Sequence, residues 1–129
     1  MKIKIGINGM GRIGRMILRA IIENNYKNIE IKHINNRTNS ETCYTLLKYD
    51  SIHGKFNAEL EFDENHLIIN KNKISFSQET DIKNINWKEF GVDYVFECTG
   101  KFNSKDKLLA HLNNGAKKVI VSAPCKNAD

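Results

Sequence analysis

A glycine-rich turn near the amino end of the chain carries the strongest chemical signal in the sequence. Residues 5–14 read IGINGMGRIG, with glycines at positions 9, 11 and 14. Gly9 suits a tight turn, Gly11 lets a pyrophosphate approach the backbone, and Gly14 lets the following helix pack closely. The unpaired N–H groups at a helix start also form an anion site. The spacing therefore predicts a dinucleotide-binding turn, and a glycine-rich turn without a ligand is the alternative.

Two further features of the sequence bear on this turn, namely positive charge directly after it and amide side chains at the end of the predicted second strand. Arg12 and Arg15 add positive charge at the start of the helix. Further on, HINNRT places Asn35, Asn36 and Arg37 where an NAD site usually has Asp or Glu to bind the adenosine ribose. A carboxylate there would repel a 2′-phosphate, whereas asparagine does not and arginine can pair with one. Two alternatives stay open: the stretch favours NADP or the use of both cofactors, or Asn36 binds the ribose of NAD while Arg37 faces water.

The cysteines show neither disulfide nor metal-ligating spacing. Cys43, Cys98 and Cys125 form no CxxC pair, and their odd number favours a reducing, cytoplasmic setting. We interpret Cys43 and Cys98 as packing residues and expect no metal site. Glu97 lies within a buried strand pattern and is interpreted as a hydrogen-bonded structural carboxylate.

The elements that must position these residues alternate between strands and helices. Ile3, Ile5 and Ile7 alternate with polar or small residues and predict a first strand. Apolar residues then recur at helical spacing and predict an amphipathic helix. Its predicted apolar face consists of Ile13, Met16, Ile17, Ala20 and Ile21. A second strand, which begins at Ile29 and ends near Asn35-Asn36, completes a βαβ unit.

The pattern of strands and helices continues along the chain. The further predicted elements are a helix over 41–49, a strand over 93–98, a helix over 104–113 and a buried strand over 119–121. Short apolar runs near 56–78 predict a small inserted antiparallel meander. We therefore predict an α/β fold with a Rossmann-type, doubly wound, mostly parallel sheet. Because no closing element follows Pro124, we expect residues 1–129 to form one dinucleotide-binding domain that is incomplete at the C-terminus.

Composition narrows the classes of partner. The 129 residues are 40% hydrophobic and 27% charged, which is ordinary for one globular domain. The apolar stretches VIVSA and YVF are too short to cross a bilayer, and the N-terminus does not resemble a signal peptide. The net charge is +5, but the lysines are spread along the chain rather than clustered. We therefore expect no membrane partner, and the even spread disfavours nucleic acid.

Four segments in register resemble a known enzyme family. INGMGRIGR, KYDSIHGKF, ECTGKF and GAKKVIVSAP resemble, in order and spacing, the N-terminal part of phosphorylating glyceraldehyde-3-phosphate dehydrogenases. The resemblance runs from Lys2 to about Ala128. Erythrose-4-phosphate dehydrogenase is a close sister that shares much of the pattern, and the Cys-Thr-Gly at 98–100 resembles it about as well.

The resemblance implies cofactor contacts residue by residue. Arg12 and Ile13 would lie against the pyrophosphate, with their backbone N–H groups donating. Asn36 stands where the family normally has its ribose-binding Asp, and Thr80 stands where the family often has Arg near the adenine. The positions implied beside the rest of the cofactor cleft are Thr99, Gly100, Phe102 and Ser122.

The resemblance also implies the activity of a parent enzyme. Such an enzyme oxidises an aldehyde sugar phosphate through a cysteine thiohemiacetal, passes hydride to NAD or NADP, and releases an acyl phosphate in glycolysis or gluconeogenesis. The family's catalytic cysteine segment and partner histidine lie downstream of the segments matched here. We therefore expect no catalytic residue in this chain and no activity from it alone. His53 would belong to a structural or subunit-contact loop of a homotetramer.

Two other functions stay open at this point. One is a fragment of erythrose-4-phosphate dehydrogenase, whose substrate-discriminating residues would lie outside this chain. The other is a stand-alone, non-catalytic module that binds a dinucleotide or nucleic acid, which the net charge of +5 allows.

Overall fold

The computed structural model describes residues 2–24, 26–49, 58–99 and 105–121, with side chains in the last segment described from residue 108. The elements are β1 (Ile3–Asn8), α1 (Arg12–Glu23), β2 (Ile29–Asn35), α2 (Ser40–Tyr49), β3 (Leu60–Asp63), β4 (His66–Ile69), β5 (Asn72–Ser77), β6 (Tyr94–Glu97), α3 (Lys105–Asn113) and β7 (Lys118–Val121). A short 3₁₀ turn, Ile82–Asn84, lies between β5 and β6. The predicted strands and helices that fall on these residues are confirmed.

The described strands form one sheet in the order β3-β4-β5-β2-β1-β6-β7. The neighbouring pairs β5–β2, β2–β1, β1–β6 and β6–β7 are parallel. Strand β4 is antiparallel to both of its neighbours, β3 and β5. The predicted α/β class and mostly parallel sheet are confirmed. The meander is continuous with the main sheet, because β5 pairs with β2 as well as with β4. The strand order reverses after β1, which creates a switch point between β1 and β6 where ligands bind in such folds.

The register places polar residues side by side at the carboxyl ends of the central strands. Asn8 of β1 is paired with Asn35 of β2 on one side and with Glu97 of β6 on the other. Asn35 is in turn paired with Ser77 of β5. Residues in register on neighbouring strands point to the same face of a sheet. Four polar side chains therefore form one row beneath the carboxyl edge.

Helix α1 presents to the sheet a face that matches the predicted face only in part, since Ile17 and Ile21 pack against the core. It buries Gly14, Leu18 and Arg19, whereas Ile13 is 38% exposed and Met16 is 46% exposed. The prediction of an apolar face through Ile13 and Met16 was wrong. The close approach of Gly14 to Gly9 in the glycine turn sets the rotation of the helix about its axis. Leu18, one turn further on, lies on the same face and is also buried.

Apolar residues pack on both faces of the sheet. One cluster lies between the sheet and helices α1 and α2, and the other surrounds Trp87 on the opposite face. The second cluster comprises Ile82, Ile85, Trp87, Val92, Val95 and Ala116. Gly6 of β1 is part of the reason that Trp87 fits there, since a Cβ at Gly6 would lie 2.5 Å from Trp87 Cζ3.

Strand β7 is less buried than its sequence indicates. The strand over 119–121 is confirmed, but its predicted burial was wrong because Ile120 is 43% exposed. β7 is the outermost strand on its side of the described sheet, so it has one neighbour, β6. In the described part of the chain, no helix has the length and apolar character needed to cross a membrane.

Candidate functional site

A cleft of about 290 Å³ opens at the carboxyl ends of β1, β2, β5 and β6. Its lining residues are Asn8, Gly9, Gly11, Asn35, Asn36, Arg37, Glu79, Thr80, Cys98 and Thr99. The cleft spans the point at which the strand order reverses, which is where doubly wound sheets bind ligands. The fold thus brings the glycine turn, the end of β2 and the end of β6 into one concave site.

The three glycines of the turn have different structural requirements. Gly9 has φ +99°, and a Cβ there would lie 2.8 Å from Thr99 Cγ2, so both its backbone and its neighbours favour glycine. A Cβ on Gly14 would overlap the carbonyl oxygen of Gly9, which confirms that Gly14 permits close packing of helix and strand. A Cβ on Gly11 would meet nothing within 4 Å. Gly11 thus faces open space, as a close approach of a ligand to the backbone requires.

The start of α1 is suited to receive an anion. Gly11 is the N-cap residue, and no side chain there accepts a hydrogen bond from the first helical N–H groups. Such N–H groups carry the positive end of the helix dipole. Arg12 is exposed in this first turn, and Arg15 donates from Nη1 to the Met10 carbonyl oxygen at 3.0 Å. Arg15 therefore also helps to hold the glycine turn.

Asn36 links the end of β2 to the glycine turn. Its Oδ1 accepts a hydrogen bond from the Met10 backbone N–H at 3.0 Å. Its Nδ2 donates to Thr38 Oγ1 at 2.7 Å and to Cys43 Sγ at 3.3 Å. An amide oxygen has two lone pairs, so Oδ1 retains the capacity for one more hydrogen bond. Arg37, the next residue, is exposed and lines the cleft.

The two described cysteines differ in their surroundings. Cys43 is fully buried in the core beneath Asn36, which confirms that it is a packing residue. Burial raises the pKa of its thiol to about 11, against weaker lowering by hydrogen bonds from Asn36 and Thr38. The thiol form predominates at neutral pH and is a poor nucleophile. Cys98 packs against the same core cluster and also lines the cleft.

Glu97 is the centre of a buried hydrogen-bond network behind the cleft wall. Its carboxylate is 1% exposed and receives four hydrogen bonds from described residues. Asn8 Nδ2 and His111 Nε2 reach Oε1 at 2.7 and 2.8 Å. The Thr99 backbone N–H and hydroxyl reach Oε2 at 2.9 and 2.6 Å. The interpretation of Glu97 as a hydrogen-bonded structural carboxylate is confirmed.

These hydrogen bonds keep Glu97 ionised. Burial by itself raises the pKa of a carboxyl group, because the charged form loses water. For Glu97, the hydrogen bonds from His111, Thr99 and Asn8 outweigh burial and lower its pKa below the ordinary value. The site therefore contains a buried negative charge directly beneath Thr99.

Trp87 determines which nitrogen of His111 carries a proton. The Trp87 indole Nε1–H donates to His111 Nδ1 at 2.9 Å, and an indole N–H can only donate. His111 Nδ1 therefore accepts, and the proton lies on Nε2, which donates to Glu97. The contact is a hydrogen bond from a neutral imidazole to a carboxylate rather than an ion pair.

The network continues through Asn35 to His33. Asn35 donates from Nδ2 to Asn8 Oδ1 at 2.8 Å and accepts at Oδ1 from the Ser77 hydroxyl at 2.6 Å. Ser77 has then used its proton, so it accepts from His33 Nε2 at 2.8 Å. His33 Nδ1 is buried without a hydrogen-bond partner among the described residues. Burial lowers the pKa of His33 to about 4, so the ring is neutral.

The structure brings six of the twelve predicted cofactor residues to the cleft. Gly9, Gly11, Asn36, Arg37, Thr80 and Thr99 line it. Arg12, Ile13 and Gly14 lie in the first turn of α1, beside the lining residues rather than among them. The predicted positions that lie outside the described residues are Gly100, Phe102 and Ser122, together with His53 and Cys125.

Sequence reasoning missed five members of the network, namely Asn8, His33, Ser77, Trp87 and His111. The available signal was an asparagine at the end of each of the first two apolar strands, Asn8 and Asn35. Trp87 and His111 gave no comparable signal because they come from distant segments. Among the described residues, no three His, Cys, Asp or Glu side chains are grouped to hold a metal ion.

Comparisons with known proteins point to one family. Residues 3–105 match the family model described as glyceraldehyde 3-phosphate dehydrogenase, NAD binding domain. The chain is 46% identical over 129 residues to the glyceraldehyde-3-phosphate dehydrogenase of Geobacillus stearothermophilus, covering 100% of this chain and 38% of that protein. It is 51% identical over 128 residues to the enzyme of the same name from Colletotrichum lindemuthianum, covering 98% of this chain and 37% of that protein. The chain thus spans less than two fifths of the length of these relatives.

Proposed function

This chain belongs to the family of glyceraldehyde 3-phosphate dehydrogenase NAD-binding domains, and we propose that it is the cofactor-binding part of a phosphorylating dehydrogenase of aldehyde sugar phosphates. The family supports NAD(P) as the cofactor of the domain. The observation that carries the proposal is the cleft at the switch point of the sheet, with Gly11 open to it and an uncapped helix start beside it.

The parts of the cofactor would occupy successive parts of this cleft. The pyrophosphate would lie over Gly11, where the first N–H groups of α1 lack a side-chain cap. The adenosine ribose would lie at the end of β2, beside Asn36 and Arg37. The rest of the dinucleotide would then cross the switch point toward Thr99 at the end of β6.

The domain would bind the cofactor that accepts the hydride. It would not carry out the covalent step, in which a thiol attacks the substrate. When bound, the nicotinamide accepts a hydride from the substrate. A covalent route through a thiohemiacetal requires a reactive thiolate. Cys43 does not meet this requirement, because it is fully buried and its pKa is raised to about 11. As the family resemblance implies, the catalytic thiol of the whole enzyme would come from a segment downstream of the segments matched here.

Calorimetric titration of the chain with NAD, and separately with NADP, tests the proposal. Gly11→Val is the informative variant, because a Cβ at Gly11 would meet no protein atom within 4 Å and the side chain would extend into the space assigned to the pyrophosphate. We expect the folded variant to bind the dinucleotide at least about tenfold more weakly, because the pyrophosphate could no longer approach the first N–H groups of α1. Ala20→Val, an exposed change on the same helix, is the matched control. Folded wild-type chain that binds neither dinucleotide would contradict the proposal.

A further inference from the structure

Glu97 lies behind the cleft and contacts two residues that line it. Asn8 and Thr99 both border the cleft, and both donate hydrogen bonds to the Glu97 carboxylate. Glu97 itself is not among the lining residues. It can therefore affect a bound dinucleotide by fixing the positions of Asn8 and Thr99, not by touching it.

Thr99 also contacts the glycine turn. The methyl group of Thr99 is the nearest neighbour of the position that a Cβ on Gly9 would occupy, at 2.8 Å. Through its hydroxyl and its N–H, Thr99 is fixed to Glu97 Oε2 by two hydrogen bonds. The end of β6 and the glycine turn are thus held against each other, with Glu97 as the anchor on the β6 side.

The network admits one arrangement of protons around Glu97. His111 must donate from Nε2 because its Nδ1 accepts from Trp87, and the backbone N–H of Thr99 can only donate. A carboxylate accepts hydrogen bonds at both of its oxygens. An amide at position 97 would replace one of these oxygens by an N–H₂ group, which would face groups that donate. Replacing Glu97 by Gln preserves its size and disrupts its hydrogen bonding.

We propose that Glu97 is a positioning residue for the part of the dinucleotide that lies beyond the pyrophosphate, acting by holding Thr99 and Asn8 at the cleft wall. This inference rests on the proposed function. Asn36 and Arg37 mark the adenosine side at the end of β2, and α1 marks the pyrophosphate. Thr99, on the far side of the switch point, then borders the nicotinamide half.

The test compares a whole dinucleotide with its adenosine half. Glu97→Gln and wild type are titrated with NAD by calorimetry and with adenosine monophosphate by NMR of the ¹⁵N-labelled chain. We expect Glu97→Gln to weaken NAD binding about tenfold, in line with loss of a hydrogen bond to a charged group, and to change monophosphate binding less than about twofold. If Glu97→Gln weakens the binding of both ligands equally, or does not weaken the binding of NAD, the inference is overturned.

A chemically matched control is present at the β3–β4 turn. Asp63, like Glu97, accepts hydrogen bonds from a histidine and a backbone N–H, here His66 Nδ1 and Asn65 N, both to Oδ1. It does not line the cleft. Asp63→Asn therefore makes the same chemical change away from the site, and we expect it to leave the affinities for both ligands unchanged.

Variants of Thr99 decide the question if Glu97→Gln does not fold. Thr99→Val removes the hydroxyl that bonds Glu97 Oε2 and keeps the side-chain volume, whereas Thr99→Ser keeps the hydroxyl. We expect the valine variant to bind NAD several-fold more weakly than the serine variant, with monophosphate binding alike in the two. The reverse order, or equal NAD affinities, would overturn the role of the Glu97–Thr99 contact. Failure of wild type to bind NAD would instead contradict the proposed function.

Discussion

Trp87 and His111 are joined by a buried hydrogen bond of 2.9 Å from the indole Nε1–H to the imidazole Nδ1. This bond connects the loop after the 3₁₀ turn to helix α3, and through His111 Nε2 it reaches the Glu97 carboxylate. The indole and imidazole rings also pack directly, with centroids 5.7 Å apart. The opposite face of the sheet from α1 is thus organised around a neutral histidine between one donor and one acceptor.

The tautomer of His111 is the most direct prediction from this arrangement. Two-bond ¹H–¹⁵N correlation NMR of the labelled chain at pH 7 should show a protonated Nε2 and an unprotonated Nδ1, because Nδ1 faces a donor. Trp87→Phe removes that donor and leaves a buried nitrogen unpaired, so we expect a loss of about 2 kcal/mol in the free energy of unfolding. A wild-type spectrum with Nδ1 protonated would contradict the assigned network.

The stability of the domain should depend on pH through His33. Burial lowers the pKa of His33 in the folded state to about 4, from its ordinary value of 6.5. The unfolded state therefore binds a proton more readily, and stability contributed by the neutral ring is present above pH 6.5 and lost as pH falls toward 4. Linkage gives a loss of about 2 kcal/mol between pH 7 and pH 5, measured by urea unfolding.

His33→Gln provides the control for this pH dependence. Glutamine keeps an N–H₂ group for the Ser77 hydroxyl but does not titrate. The difference in unfolding free energy between pH 7 and pH 5 should therefore shrink by about 2 kcal/mol in the variant. An unchanged pH dependence would mean that other groups determine it.

The strands, the helices and the glycine turn could be predicted from the sequence, because each depends on residues that are close together in the chain. The alternation of Ile3, Ile5 and Ile7 and the spacing of the glycines act within a few residues. The network around Glu97 depends instead on strand register, which joins Asn8 to Glu97 across 89 positions. The buried face of α1 was predicted in part. Ile17 and Ile21 pack against the core, but apolar periodicity alone did not include the close approach of Gly14 to Gly9.

Replacement by alanine should destabilise the domain much more at Gly14 than at Gly11. A methyl group on Gly14 would overlap the Gly9 carbonyl oxygen, which belongs to backbone that cannot move without displacing the turn. We expect Gly14→Ala to lower the free energy of unfolding by about 3 kcal/mol. Gly11→Ala should cost less than about 1 kcal/mol, since its methyl group meets only open space. Urea unfolding of both variants checks this, and equal losses would contradict the described turn.

Asn36→Asp should shift cofactor preference toward NAD. The carboxylate can still accept from Met10 N–H, and the Thr38 hydroxyl and the Cys43 thiol can both turn a proton toward its second oxygen. The fold should therefore tolerate the change. The added charge would repel a 2′-phosphate beside Arg37 and offer more acceptors to a ribose hydroxyl. We expect the ratio of the NADP to the NAD dissociation constant to rise at least about tenfold in calorimetric titrations.

Asn39→Asp is the matched control for this change of charge. Asn39 lies three residues further on, outside the cleft lining, and its Oδ1 accepts from Thr42 N at 2.9 Å near the start of α2. Aspartate accepts a hydrogen bond from a backbone N–H at a helix start as well as asparagine does. This variant therefore adds the same charge near the cleft and should leave the fold unchanged. If Asn36→Asp and Asn39→Asp alter the ratio alike, a general electrostatic effect explains the shift. A specific role for Asn36 requires that the Asn36 variant alone changes the preference.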